Sequence, residues 1–167
     1  MASLTSWWAG RTRQLGRHVT ARVGPGERAA LDAWTTPAQR ALFDAMPRAD
    51  RRHALDVVAG LRARGVEDPE VLLAGLLHDA GKGRSIRLWH RVAWSFGERF
   101  GPWAWVAAAR LPGGATAMAR LRDHAERSAE LAGWAGCGPR AVALIRGAAL
   151  AGDTEAARAL READEAT

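Results

Sequence analysis

Apolar positions along the chain recur at three- and four-residue spacing, the period of a helix with one buried face. Two-residue alternation is missing, β-branched runs are few and tyrosine is absent, so strands are not expected. The pattern predicts an all-α chain with helices over 3–22, 27–34, 37–45, 48–64, 69–80, 86–99, 103–110, 115–135, 139–150 and 154–165. Punctuation supports these limits. Thr36-Pro37 and Asp68-Pro69 each read as an N-cap followed by proline in the first helical position. Gly65 reads as a C-terminal stop, and Asp153 as the N-cap of the last helix.

The Gly24-Pro25-Gly26 break sets residues 1–24 apart from residues 25–167. The first segment is a basic amphipathic helix, with Leu4, Trp8, Leu15 and Val19 on one stripe and Arg11, Arg13, Arg17 and Arg22 elsewhere. Packing on its own domain or a partner subunit is expected of it more than lying on a membrane. At 167 residues the chain fits one compact domain, with little room for a second.

The helix over 69–80 is apolar almost all round from Val71 to Leu77, which predicts burial. It carries His78 and Asp79 inward at its C-terminal end. A buried carboxylate needs a cation, strong donors or a proton, and a metal ion would serve both residues. Of the five histidines (His18, His53, His78, His90 and His124), His53 borders the core-facing stripe of the 48–64 helix, ahead of Val57 and Leu61. Asp164 follows Leu160 by four residues and so faces inward on the last helix. His124 shares a stripe with Leu121, Ser128 and Leu131. Imidazoles and carboxylates together suit Mn, Fe, Zn, Co or Ni, and Mg less well.

Composition adds an electrostatic expectation. The formal charge is +6 and the pI about 11.2, with nearly all the positive charge on arginine. Anionic partners fit this balance, whether nucleotides, nucleic acid or acidic lipid. The single cysteine, Cys137, cannot form an internal disulfide, which points to a reducing, cytoplasmic compartment. The most apolar stretch, Pro102 to Leu111, is far short of the ~20 residues of a membrane span, and no secretory signal is read at the N-terminus.

The segment Leu-Leu-His-Asp-Ala-Gly-Lys, ending at Lys82, resembles the HD superfamily of metal-dependent phosphohydrolases, all-α proteins with an H…HD…D ligand pattern. His53 matches the first histidine within Asp-Arg-Arg-His-Ala-Leu-Asp-Val, His78-Asp79 the doublet, and Asp164 the final aspartate within Leu-Arg-Glu-Ala-Asp-Glu. The resemblance runs from Thr36 to Thr167. Asp153 competes for the last position, but a capping role explains it and the register favours Asp164. Some two-metal members add histidines, and His124 resembles the first of these. The next place holds Arg146, Gly147, Ala148 and Ala149, so one divalent metal per chain is expected, with His124 as a fifth ligand or an outer group.

The resemblance implies cleavage of a phosphoester or phosphoanhydride, in a nucleotide or other small phosphorylated molecule, by a metal-activated water. Asp79 would orient the water, and Lys82, the chain's only lysine, would meet the phosphate. His90 would donate to the leaving group, with Arg87, Arg91 and Arg146 as further phosphate contacts. Two other readings stand beside it: a metal-binding regulatory or scaffold domain without turnover, and a basic polyanion binder whose metal is structural.

Overall fold

The computed structural model describes residues 22–148 and 150–167, and within them the chain is all-helical with no strand. Ten helices lie among the described residues: α1 (Pro25–Leu31), α2 (Pro37–Ala45), α3 (Arg48–Ala63), α4 (Pro69–Leu77), α5 (Leu88–Phe100), α6 (Trp103–Ala109), α7 (Gly114–Arg122), α8 (His124–Trp134), α9 (Pro139–Arg146) and α10 (Thr154–Glu165). A 3-10 turn, Ala80–Lys82, follows α4. The helix expected over 3–22 lies outside the described residues.

Local sequence explains where several helices begin. The Thr36 hydroxyl accepts from the Gln39 amide while the Gln39 side chain accepts from the Thr36 amide, closing a capping box ahead of Pro37. Asp68 Oδ1 accepts from the Glu70 and Val71 amides at the start of α4. Asp153 behaves differently. It makes no side-chain cap to α10, and its Oδ1 accepts from Arg140 Nε at 2.7 Å. A guanidinium on α9 outcompetes the local amides because a charge-assisted bond is roughly twice as strong as a neutral one.

Every residue of α4 from Val71 to Leu77 is buried, as its all-round apolar sequence requires. It is packed by α3, α9 and α10. Gly75 lets α3 in close: a Cβ there would come 2.7 Å from Leu61 Cδ1. This central cluster includes Phe43, Val57, Leu61, Leu76, Leu77, Ala129, Leu144 and Leu160. A second, smaller cluster joins Ile86, Ala108, Ala117, Met118 and Leu121 to Trp89, Trp94 and Trp105 across α5, α6 and α7. Trp94 and Trp105 stack at 4.8 Å, and Trp105 Nε1 donates to the Trp94 carbonyl.

Several expected limits move. The 115–135 segment is two helices, parted at Asp123, whose φ of −99° and ψ of 9° break the helical path. The 139–150 helix stops at Arg146, where Gly147 turns left-handed. The 69–80 helix gives way after Leu77, and the 27–34 helix sits two to three residues earlier, at Pro25–Leu31. Among the described residues no helix is long and apolar enough to cross a membrane.

Candidate metal centre

His78 caps the C-terminus of α4, and Asp79 follows in the bend that leads into the 3-10 turn. That turn presses on α8. Gly81 makes the approach possible, since a Cβ there would fall 2.5 Å from the His124 carbonyl oxygen, and its amide donates to Ser128 Oγ at 2.8 Å. The doublet is thereby set against the first turn of α8, where His124 stands. His53 enters from α3 and Asp164 from α10.

His53, His78 and Asp79 each offer one ligand atom, and these atoms all lie within 4.8 Å of one another. His78 Nε2 is 3.6 Å from Asp79 Oδ1, and His53 Nε2 is 3.9 Å from Asp79 Oδ2. Asp164 closes the other side: its Oδ1 is 2.8 Å from His53 Nε2 and 3.4 Å from His78 Nε2. His124 Nε2 stands 3.8 Å from Asp79 Oδ1. The floor is dry, with Asp79 1% exposed, while the rim opens to solvent at Asp164, whose side chain is 45% exposed.

Two buried atoms, His78 Nε2 and Asp79 Oδ1, have no hydrogen-bond partner. Leaving a polar atom unsatisfied in the interior costs about 1–3 kcal/mol, more for a charged group. A divalent cation between them removes that cost for both, so the donor set fits a metal ion. The ring orientations agree. His78 Nδ1 donates to the Gly75 carbonyl at 2.9 Å and His124 Nδ1 to the Leu121 carbonyl at 2.6 Å, so in the neutral ring each Nε2 is the atom with a free lone pair.

Charges are strongly coupled here. Burial opposes a proton on His78, but the carboxylates of Asp79 and Asp164 more than offset it and push the imidazole up to about 9. Burial favours the neutral form of Asp79, yet Lys82, His78 and His53 hold its carboxyl far below the usual range. Asp164 is likewise held low against burial by its hydrogen bond to His53 and by the nearby imidazole of His78. His124 is lowered by burial and by the Lys82 ammonium.

The residues expected to contact phosphate have the following surroundings in the ligand-free chain. Lys82 Nζ sits 2.6 Å from Asp79 Oδ2, anchoring that carboxylate. Arg91 pairs with the buried Asp50 on α3 at 2.7 Å. Arg146 is on the surface, bonded to Glu126 at 2.7 Å. Arg87 is exposed, and its amide donates to His90 Nδ1 at 2.8 Å. His90 is buried, its ring 3.8 Å from that of Trp89, and it engages the start of α5 rather than the cluster; burial and then Arg87 lower its pKa.

Three contributors escaped the sequence reading: Gly75 as an acceptor, Asp50 as the partner of Arg91, and Thr167, whose Oγ lies 3.0 Å from His53 Nδ1. Only the His78–Gly75 spacing of three residues carried a local signal. No protein-family model, curated protein or solved structure matches this chain.

Proposed function

We propose that the protein is a divalent-metal phosphohydrolase acting on a nucleotide or another small phosphorylated molecule, with His53, His78, Asp79 and Asp164 holding the ion. The observation that carries this reading is the pair of buried, unpartnered atoms, His78 Nε2 and Asp79 Oδ1, facing each other at 3.6 Å beside His53. When bound, a divalent cation there supplies Lewis acidity and eases deprotonation of a water. The mixed nitrogen and oxygen donors favour Mn, Fe, Zn, Co or Ni over Mg.

The chain's own residues divide the remaining work. Lys82 fixes one oxygen of Asp79 and leaves the other for the ion. His124 borders Asp79 as an outer group or fifth donor. The open rim at Asp164 supports a site that substrate can reach, whereas a purely structural ion is normally closed off. Substrate phosphate would approach from that side.

One observation favours a second reading, a metal-binding regulatory domain without turnover. Lys82, Arg91 and Arg146 are engaged with carboxylates, so three of the four basic residues expected to meet phosphate are already paired, Arg87 being the exception. Metal analysis of the purified protein, followed by hydrolysis of nucleotides and simple phosphoesters with added Mn, Co or Ni, separates the two. Turnover that stops with chelator and in His78→Ala supports the hydrolase. Stoichiometric metal without turnover supports the regulatory domain, and absence of metal binding overturns both.

A further inference from the structure

Residues 83–122, which contain α5, α6 and α7, form a unit of their own within the fold. α5 and α6 pack on one another and on α7, and α7 joins the unit to α8 and the 3-10 turn. The small tryptophan-rich core described above holds the three helices together. Two properties of the chain concentrate here. Seven arginines and a single acid, Glu98, lie in these residues, so the whole formal charge of +6 belongs to them and the rest of the chain is formally neutral. Six of the eight large apolar side chains left exposed among the described residues also belong to this unit. Scattered singly, such side chains mean little; gathered together with one sign of charge, they mark a docking surface.

α6 shows how the two are combined. Trp103, Val106 and Arg110 recur at the spacing of one helical stripe and Leu111 follows, while Ala104 and Ala108 are buried on the other side. Trp103, Val106 and Leu111 are each more than half exposed. Trp103 Nε1 donates to the Phe100 carbonyl at 3.0 Å, so the indole has no donor that still needs water. Arg99 and Arg110 are exposed on either side of Trp103 in the sequence, and the unit's one acid, Glu98, accepts from Trp94 Nε1 at 2.9 Å. From this juxtaposition we infer that the α6 face docks on an anionic lipid surface. Trp103, Val106 and Leu111 enter the boundary of the acyl chains, and Arg99 and Arg110 meet lipid phosphate. A nucleic acid would take the arginines but leave Val106 and Leu111 without a contact. A second copy of this face, or the chain's own residues 1–22 with four arginines and no acid, would set arginine against arginine. The inference does not depend on the ion.

Sedimentation of the full chain with lipid vesicles tests this. Vesicles of phosphatidylcholine and phosphatidylglycerol in equal parts should bind the protein, and phosphatidylcholine alone should not. The binding should weaken as salt rises. Arg99→Gln and Arg110→Gln should each weaken it about fivefold, and Trp103→Ala about tenfold or more. Trp134→Ala, at an exposed tryptophan outside the unit, should leave it unchanged. If Trp103→Ala loosens the turn to which its indole is bonded, as checked by circular dichroism, Val106→Ser with Leu111→Ser repeats the test and keeps that bond. Equal binding to the two kinds of vesicle overturns the inference, and so does anionic binding that all these substitutions leave at native strength. Failure to bind either vesicle overturns it as well, whether the protein then retains a DNA duplex or self-associates through Trp103.

Discussion

Asp50 and Asp79 are both sealed from solvent, at 2% and 1% exposure, yet their surroundings divide sharply. Asp50 has Arg91 Nη2 at 2.7 Å from one carboxylate oxygen and 2.8 Å from the other. Asp79 has Lys82 on one oxygen and nothing on the other, which faces the Nε2 atoms of His78 and His124. The first aspartate is complete and joins α3 to α5. The second is half-satisfied among groups able to share a cation. Burial alone therefore does not mark a ligand; an unused lone pair among convergent donors does.

The sharpest way to break this contrast is to remove each carboxylate in turn. Asp79→Ala, like His78→Ala, should reduce bound metal from about one ion per chain to none, read by elemental analysis after dialysis. Stoichiometric metal in both variants would end the ligand assignment. Asp50→Ala should instead keep the metal and lose about 3–5 kcal/mol of folding stability in a denaturant titration, because Arg91 is left without its partner. Metal loss in a still-folded Asp50→Ala would show that the two centres are not independent.

The pH dependence separates them further. In the metal-free protein His78 is raised to about 9, above its ordinary value of 6.5. Its charged contact with Asp79 and Asp164 therefore contributes stability fully below about 6.5, and that contribution disappears as pH rises through about 9. Metal binding runs the other way. The ion needs Nε2 free, so its affinity should climb roughly tenfold per pH unit up to about 9, with proton release seen by calorimetry in buffers of differing ionisation enthalpy. A flat affinity between neutral and mildly alkaline pH would remove His78 from the ligand set. The smallest effect belongs to Asp153: Asp153→Ala, losing one contact with Arg140, should shift the melting temperature by a few degrees and leave metal binding unchanged, whereas Asp164→Ala should weaken it.

Much of this was legible in local pattern. The apolar run of α4 predicts its own burial, the Thr36 and Asp68 caps are readable from neighbouring residues, and the helical registers bring His53, Asp164 and His124 to the doublet. What was hidden depends on partners distant in sequence. Asp153 reads as a cap until Arg140 arrives from α9, and Arg146 reads as a phosphate ligand until Glu126 is beside it. Lys82 is the subtler case, for its partner is only three residues away. Its pairing with Asp79 depends on the bend after α4, which a continuous helix over 69–80 concealed.

The bond from His53 to Asp164 spans 111 residues, and the doublet sits between them. A contact of such separation forms late, because the chain entropy of closing so long a loop must be met first. On a ribosome, His53 and His78 emerge well before the helix that completes their neighbourhood. A nascent chain thus has imidazoles and a carboxylate side by side before Asp164 joins them, and any affinity for an ion would mature only when α10 docks. An ion captured at that moment would latch the last helix onto the first half of the domain, so metal supply would decide how long the finished protein lasts against proteases as well as whether it acts.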